Sequence, residues 1–560
     1  MKIHIIRPIL LFLMMISALH ATATIPPKRE IRAVWLTTIG GLDWPSRYAH
    51  NGNGIEMQKA ELVRILDKLQ HAGINTILLQ TRIRATLIYP SALEPWDGCM
   101  SGNPGASPGY DPLQFAIDEA HKRGMELHAW VVTIPAGKWN GYGCSQLRKR
   151  HSNLLIKKGA EGYLNPENSQ TADYLADICA EITRNYDIDG IHLDYIRYPE
   201  TWNPRNRSYG RSCITRIVRT IHHRVKSIKP WVKISSAPIG KAQDLSRYSS
   251  HGWNAYEKGC QDVQQWLAEG LMDQLYPMMY FKDNQFFPFA LDWKEIAQGT
   301  AVAPGLGIYF LHPSEGNWTL SQVERQMNVL RNNGLGHTYF RSRFFTDNTK
   351  GIYRFAANHF DTYPTLIPAI THDASIGNPQ APRDLRITAD GTYTTLTWDG
   401  SDDLYYNIYS SPIAPVDTKD PRNLIAIRQS RPYITFAKNM PQQPFAITAM
   451  NRYGDESEPL QSHSTSNDEG GSSLLSAQSL MINAQSSSFV TLPSIVQQLD
   501  AQYISIETLQ GTTIDVRPFN HSKLYVKKLS PGTYVIRTIG KKKRKHRIGF
   551  LHIPLPNERD

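Results

Sequence analysis

Cysteine is scarce. The chain has five in 560 residues, and no two lie closer than 34 positions, which excludes a disulfide-built scaffold and a clustered thiolate metal site. Long apolar runs are also missing beyond residue 23, where no stretch approaches the ~20 residues needed to cross a bilayer. Charge is modest, at 20% of residues against 41% hydrophobic, a balance too apolar for a disordered polymer. Acidic residues are outnumbered 50 to 61, a formal net charge of +11. Much of that excess sits in one run, Lys541-Lys-Lys-Arg-Lys-His-Arg547, which in an exported chain reads as a solvated hairpin or a contact with anionic glycan or lipid rather than a nucleic-acid site. No metal and no cofactor are expected.

What is present begins with an export pattern. Lys2 and Arg7 precede the apolar run Ile9 to Leu19, and Ala21-Thr22-Ala23 follows, the order of a secretory signal peptide cleaved after residue 23. The mature protein is therefore expected to be periplasmic, cell-surface or secreted, with no membrane span.

From Ile31 to about Phe360, short β-rich segments alternate with amphipathic helical ones. The expected strands are Arg32 to Thr38, Thr76 to Arg82, Glu126 to Val132, Gly190 to Tyr195, Lys233 to Pro238, Gln274 to Phe281, Val302 to Tyr309 and His337 to Arg341. Eight such units over ~330 residues match the count and size of a (β/α)8 TIM barrel. After Pro364 only strand patterns remain. The fold class expected is thus α/β, a TIM barrel over 29–365 followed by two all-β sandwich-like domains, at 378–460 and 474–560, joined by a polar linker at 461–473. Trp398 on a second strand and Ala449 to Gly454 near the end of the first sandwich resemble a fibronectin type III module. In the last domain, Leu529-Ser-Pro-Gly-Thr-Tyr-Val-Ile-Arg537 resembles the closing hairpin of type IX secretion sorting domains, which implies contact with export machinery or a surface.

In a TIM barrel the chemistry lies at the carboxyl ends of the strands. Two long loops fall there, from Ala85 to Tyr110 and from Thr133 to Pro166. Cys99 and Cys144, one in each, are expected to approach each other and to be candidates for a bridge. The segment Asp187-Ile-Asp-Gly-Ile-His-Leu-Asp194 places His192 and Asp194 on one face of the fourth strand, with Asp194 at the mouth. Acid–base chemistry at such a mouth uses two carboxyl groups, one to give a proton and one to take it. Asp194 is the first candidate, and Asp283, Glu315 and Glu94 are the mouth-side choices for the second. Arg82, His128, His192, Arg197 and Tyr280 are candidates to orient a substrate, and Trp44, Trp96, Trp130 and Trp139 to offer flat apolar faces to it. Each has a plainer reading, as a loop carboxylate, a satisfied core histidine or a packed indole.

Residues 29 to 360 resemble the glycosyl hydrolase-like 10 family of exported bacterial TIM-barrel proteins. The carrying segments are Arg32-Ala-Val-Trp-Leu-Thr-Thr38 with Leu42-Asp-Trp-Pro45, Gly109-Tyr-Asp-Pro112, Ala120-His-Lys-Arg-Gly-Met-Glu-Leu-His-Ala-Trp130 and Asp189-Gly-Ile-His-Leu-Asp194. The resemblance implies a glycan partner and glycoside hydrolysis, on a polysaccharide or, as in some members, on peptidoglycan strands. The chain departs from the family pattern at Thr86, where an Asp is usual, and at Val131-Val-Thr-Ile134, where Asn-Pro-Tyr-Arg is usual. The fourth strand is also similar to the signature of family 18 chitinases, but the position of their catalytic Glu is Ile196. Two readings follow, a hydrolase using Asp194 and a glycan-binding barrel without catalysis; a surface-adhesion protein led by the β-domains is a third.

Overall fold

A computed structural model describes residues 26–199, 202, 204, 206–370, 376–389, 393–436, 443–462 and, further on, 480–483, 489–491, 503–508, 513–518, 523–525, 529, 532–539 and 545–553. The signal pattern, most of the linker and the start of the basic run lie outside these residues. All eight expected barrel strands are present in the expected order, at Arg32–Leu36, Thr76–Arg82, Glu126–Val132, Gly190–Asp194, Lys233–Ser236, Gln274–Leu275, Ala301–Val302 with Gly305–Leu306, and His337–Tyr339. Every neighbouring pair is parallel. The seventh strand comes in two pieces because Pro304 has no N–H to give to a ladder. Its first piece pairs with the sixth strand and its second with the eighth, and the eighth pairs with the first, so the ring closes.

The strand and helix sequences explain their positions. The second strand, Thr-Ile-Leu-Leu-Gln-Thr-Arg, is buried at every residue, as expected of a parallel strand covered on both faces. The helices open on side-chain caps that occupy otherwise unpaired N–H groups. Asn51 caps Gly52–His71, Asp111 caps Pro112–His121, Asn168 caps Ser169–Asn185 and Asn206 caps Arg207–Lys226. Thr319 and Gln322 form a reciprocal capping box on Leu320–Asn332. The long third loop carries its own antiparallel sheet of Pro135–Lys138, Glu161–Leu164 and Leu155–Lys158.

Beyond the barrel, Arg383–Ala389, Thr394–Asp399 and Tyr433–Phe436 form one antiparallel sheet, and Leu424–Gln429, Tyr405–Ser410, Phe445–Met450 and Leu460–Gln461 another. Leu396, Trp398, Tyr406, Ile408, Phe445, Ile447 and Ala449 fill the space between them. The last domain has a five-stranded sheet, Leu480–Asn483, Lys545–Ile553, Gly532–Ile539, Tyr503–Glu507 and Thr513–Pro518, antiparallel except for its first pair.

The first sandwich is wired into the barrel at the amino ends of the strands. Arg428 lies at a bulge with φ 51°, a left-handed conformation that a non-glycine residue holds only when its surroundings dictate it. Asn407 Oδ1 accepts the Arg428 backbone N–H, and the guanidinium reaches Glu126 (2.8 Å) and Asp189 (2.5 Å), both buried in the barrel floor. Arg452 pairs with Asp187, and Glu456 with Lys28 (2.6 Å).

Candidate active site

At the opposite end, the fourth strand delivers Asp194 to the mouth. Its Oδ2 accepts a hydrogen bond from Trp130 Nε1 (3.0 Å) and its Oδ1 from the Tyr195 backbone N–H (2.7 Å), so the carboxyl plane is fixed from two sides. The Asp194 carbonyl accepts from both Thr133 N–H and Thr133 Oγ1, which locks the tops of strands three and four together. Tyr195 follows at φ 53°, a turn that aims the chain out of the strand.

Beneath Asp194 lies a wired interior. Trp35 Nε1 donates to His192 Nε2 (3.1 Å), and His192 Nδ1 lies 3.0 Å from Ser235 Oγ. Accepting at Nε2 makes Nδ1 the protonated nitrogen, which donates to the serine. Burial, reinforced by nearby His128, pushes His192 well below its usual range, so it is neutral. Trp35 in turn packs against Tyr280 (6.5 Å between centroids) and Phe340 (5.7 Å), and Tyr280 against Phe340 (5.1 Å) and Tyr309 (5.8 Å). These rings build an aromatic wall beside the carboxylate. Burial, and then the charge of Asp194, raise Tyr280 well above the usual phenol range, leaving it a neutral O–H.

The structure thus brings Asp194, Trp130, Arg197 and Tyr280 together above His192. Arg197 is buried with its guanidinium 3.7 Å from the centre of the Tyr195 ring. Other expected residues stand elsewhere. Arg82 is fully buried, and its guanidinium is consumed by Glu94 (2.8 and 2.6 Å) and the carbonyls of Val132 and Thr133. It pins the second and third loops and has no face for a sugar. Glu94, which also accepts from Tyr174 (2.9 Å), is likewise spoken for. Trp44 is fully buried with its N–H on the Gln58 carbonyl. His128 is not at the mouth to orient a substrate: it lies midway down the interior, 3.1 Å from Glu126, and its ring fills the space where a side chain at Gly190 would stand. Trp96 is half-buried in the second loop, and Trp139 is half-buried with Arg148 4.4 Å from its ring centre.

Asp283 and Glu315 are both exposed. Asp283 begins the turn Asp283–Gln285 and lines a cleft whose walls do not include Asp194. Glu315 acts on Tyr309, whose phenol is pushed up to about 12 by burial and then by that carboxylate. The expected approach of Cys99 and Cys144 to a bridge is not realised. All five cysteines are buried free thiols, Cys99 beside Asp97 and Cys144 packed against Gly162.

Sequence reasoning missed Trp35, Tyr309 and Phe340 as parts of the wall, although Tyr309 and Phe340 stood at expected strand ends. It also missed Asp43. That buried carboxylate accepts from Thr37 N–H (2.8 Å), Thr37 Oγ1 (2.7 Å) and Arg343 N–H (3.1 Å), and pairs with Arg341, tying the first loop to the eighth. The motif Leu42-Asp-Trp-Pro45 carried that signal.

Comparison with known proteins places these features. Glycosyl hydrolase DigH of Escherichia coli (strain K12) is 29% identical over 328 residues, which cover 51% of this chain and 75% of that protein. Glycosyl hydrolase YngK of Bacillus subtilis (strain 168) is 26% identical over 478 residues, covering 77% and 92%. Among solved structures, the PgaB (BpsB) glycoside hydrolase domain from Bordetella bronchiseptica matches at a TM-score of 0.40 with 11% identity, over 59% of this chain and 98% of that one. The family model described as glycosyl hydrolase-like 10 matches residues 30–209 and 203–310, and the chain belongs to that family.

Proposed function

We propose that the protein is an exported glycoside hydrolase acting on a polysaccharide or a peptidoglycan-type glycan, with Asp194 as a catalytic carboxylate. The observation that carries this is Asp194 itself, held at the carboxyl end of the fourth strand by the indole of Trp130 and the Tyr195 amide, beside an aromatic wall. Glycoside cleavage needs one carboxyl group to protonate the leaving oxygen and a second to attack the ring or to activate water. Glu315 is favoured over Asp283 for the second role, because its charge is felt by Tyr309, and Tyr309 packs on the Tyr280 that feels Asp194. The neutral Tyr280 O–H supplies a donor for a sugar oxygen at the same place. Trp130 orients the carboxylate, and the buried Arg197, stacked on Tyr195, closes its surroundings.

The seven strands of the first sandwich, split three and four around Trp398, support the fibronectin type III-like reading of residues 378–460. Export rests on the sequence of the first 23 residues, and a role for the last domain in surface or export contact rests on its closing hairpin.

The second reading, a glycan-binding barrel without catalysis, is favoured by Ile196 and Thr86 standing where carboxylates are usual in the proteins this chain resembles. One experiment separates the two. Purified protein is incubated with peptidoglycan, chitin-type and plant-type glycans, and new reducing ends are counted for the natural chain and for Asp194→Asn. Hydrolysis abolished by the substitution supports the first reading. Binding without any new reducing ends supports the second.

A further inference from the structure

We propose that the cleft between the loop after the sixth strand and the helix Leu320–Asn332 is a subsite for a carboxylate-bearing sugar ring. The inference rests on the glycan reading above and names a substrate chemistry for it. The cleft has a volume of ≈ 280 Å³ and is lined by Lys282, Asp283, Phe287, Ser321, Arg325 and Gln326. That is at the lower limit of small-molecule sites, which run from roughly 300 to 1,000 Å³, and suits one ring rather than a length of chain.

Three observations define the ligand. First, Lys282 and Arg325 are exposed cations on opposite walls, and among the described residues neither makes an ion pair or a hydrogen bond. Their charged heads lie over aromatic faces, with Lys282 Nζ 5.6 Å from the centre of the Trp318 ring and the Arg325 guanidinium 4.7 Å from that of Phe287. The heads are thus positioned without being neutralised, and a carboxylate between them would gain charge-assisted hydrogen bonds. Asp283, the acid lining the cleft, pairs with neither cation and leaves a net positive site.

Second, Gln326 is 1% exposed. Its Nε2 donates to the Phe281 carbonyl (2.9 Å), while its Oε1 has no hydrogen-bond partner. A buried acceptor without a donor is costly, and a small turn of the Gln326 amide toward the cleft lets a sugar hydroxyl supply that donor. A simple anion would satisfy the cations but not this oxygen; a neutral sugar would satisfy the oxygen but not the cations. An acidic sugar does both.

Third, the cleft adjoins the mouth. Lys282 is two residues beyond Tyr280, at most ~7 Å of extended chain, which places the cleft beside the aromatic wall, close enough for one glycan to occupy both.

The test uses the full chain carrying Asp194→Asn, so that the sugar persists, and titrates a glucuronic acid-containing trisaccharide against its carboxyl-reduced counterpart by calorimetry. The acid form is expected to bind at least tenfold more tightly, with the preference falling to about onefold on adding Lys282→Gln and Arg325→Gln while the neutral form keeps its affinity. Equal binding of the two forms, or a preference that survives the double substitution, overturns the subsite and leaves the glycan reading standing. Binding of neither form alongside turnover of a neutral glycan by the natural chain also overturns the subsite alone. Binding of neither form and no new reducing ends from any glycan overturns both.

Discussion

The floor of the barrel and the end of its fourth strand use carboxylates differently. At the floor every buried acid has a cation. Glu126 meets Lys233 (2.7 Å) and Arg428, Asp189 meets His121 and Arg428, and Glu30 and Asp361 share Arg32 and Arg331. At the mouth Asp194 is steered by two N–H donors of neutral groups, an indole and an amide. Paired charges fix geometry and tolerate burial, whereas the indole and the amide aim the half-buried Asp194 carboxylate at the mouth. The floor is built to stay shut and the mouth to react, and the substitutions below should separate the two.

The largest effect is expected from Asp194→Asn. Turnover of any glycan that the protein cleaves should fall by about three orders of magnitude or more, the scale of losing a catalytic group, while the thermal transition stays within ~2 °C. A folded variant with unchanged turnover would remove Asp194 from the mechanism.

Arg428→Met should do the reverse. Removing one partner from a buried ionic network leaves Glu126 and Asp189 undercompensated, at a cost of about 3–5 kcal/mol. Denaturant unfolding should show that loss, with turnover by the remaining folded protein preserved. The same contact bears on how far the barrel depends on the first sandwich. A chain ending near Pro368 loses Arg428, Arg452 and Glu456 together and opens the floor, so it should unfold more readily than the full chain.

How much of this was legible in the sequence follows from the range of the interactions. Strand positions are local, and apolar runs such as Thr76 to Arg82 announced them. The place of Asp194 at the mouth was legible because the period of two along a parallel strand fixes which side chains share a face and which end opens to the loops. Arg82 was misread because its fate depends on Glu94, twelve positions later, returning across a loop. Arg428 went unnoticed because its partners lie about 240 and 300 residues away in another domain, and nothing in a strand pattern records that distance.

Acidification should weaken the floor. Burial alone would raise Glu126, but Lys233 and Arg428 hold it down to about 2, against an ordinary 4.5, and Arg428 with His121 depresses Asp189 in the same way. Because the folded values are lowered, this stabilisation is complete above about pH 4.5 and is lost as pH falls toward 2. The melting temperature of the natural chain should therefore decline steeply between pH 4.5 and 2.5, and less steeply in Arg428→Met. Parallel curves would show that the network contributes nothing to acid sensitivity.

Trp130→Phe tests the mouth more finely. It keeps the ring and deletes one hydrogen bond to Asp194, worth about 1–1.5 kcal/mol, so kcat should drop by about tenfold with KM nearly unchanged. A change in KM alone would make the indole a sugar platform rather than a positioning residue.

The smallest expected effect is none at all, and it concerns the loops that roof the mouth. A bridge between Cys99 and Cys144 would contribute about 2–4 kcal/mol by restricting the unfolded chain, and a thiol reductant would then lower the melting temperature by several degrees. The structure has instead two separate buried thiols. Burial and the neighbouring Asp97 carboxylate push Cys99 well above its usual range, and burial raises Cys144, so neither is a ready nucleophile for exchange. The loops are held by other means, the Arg82–Glu94 pair and the Asp97 cap on Cys99 N–H (2.7 Å). The melting temperature should accordingly be the same with and without reductant. Titration of the denatured, unreduced chain should count five thiols, and a count of three, with a reductant-sensitive transition, would mean that the mouth is stapled by a disulfide after all.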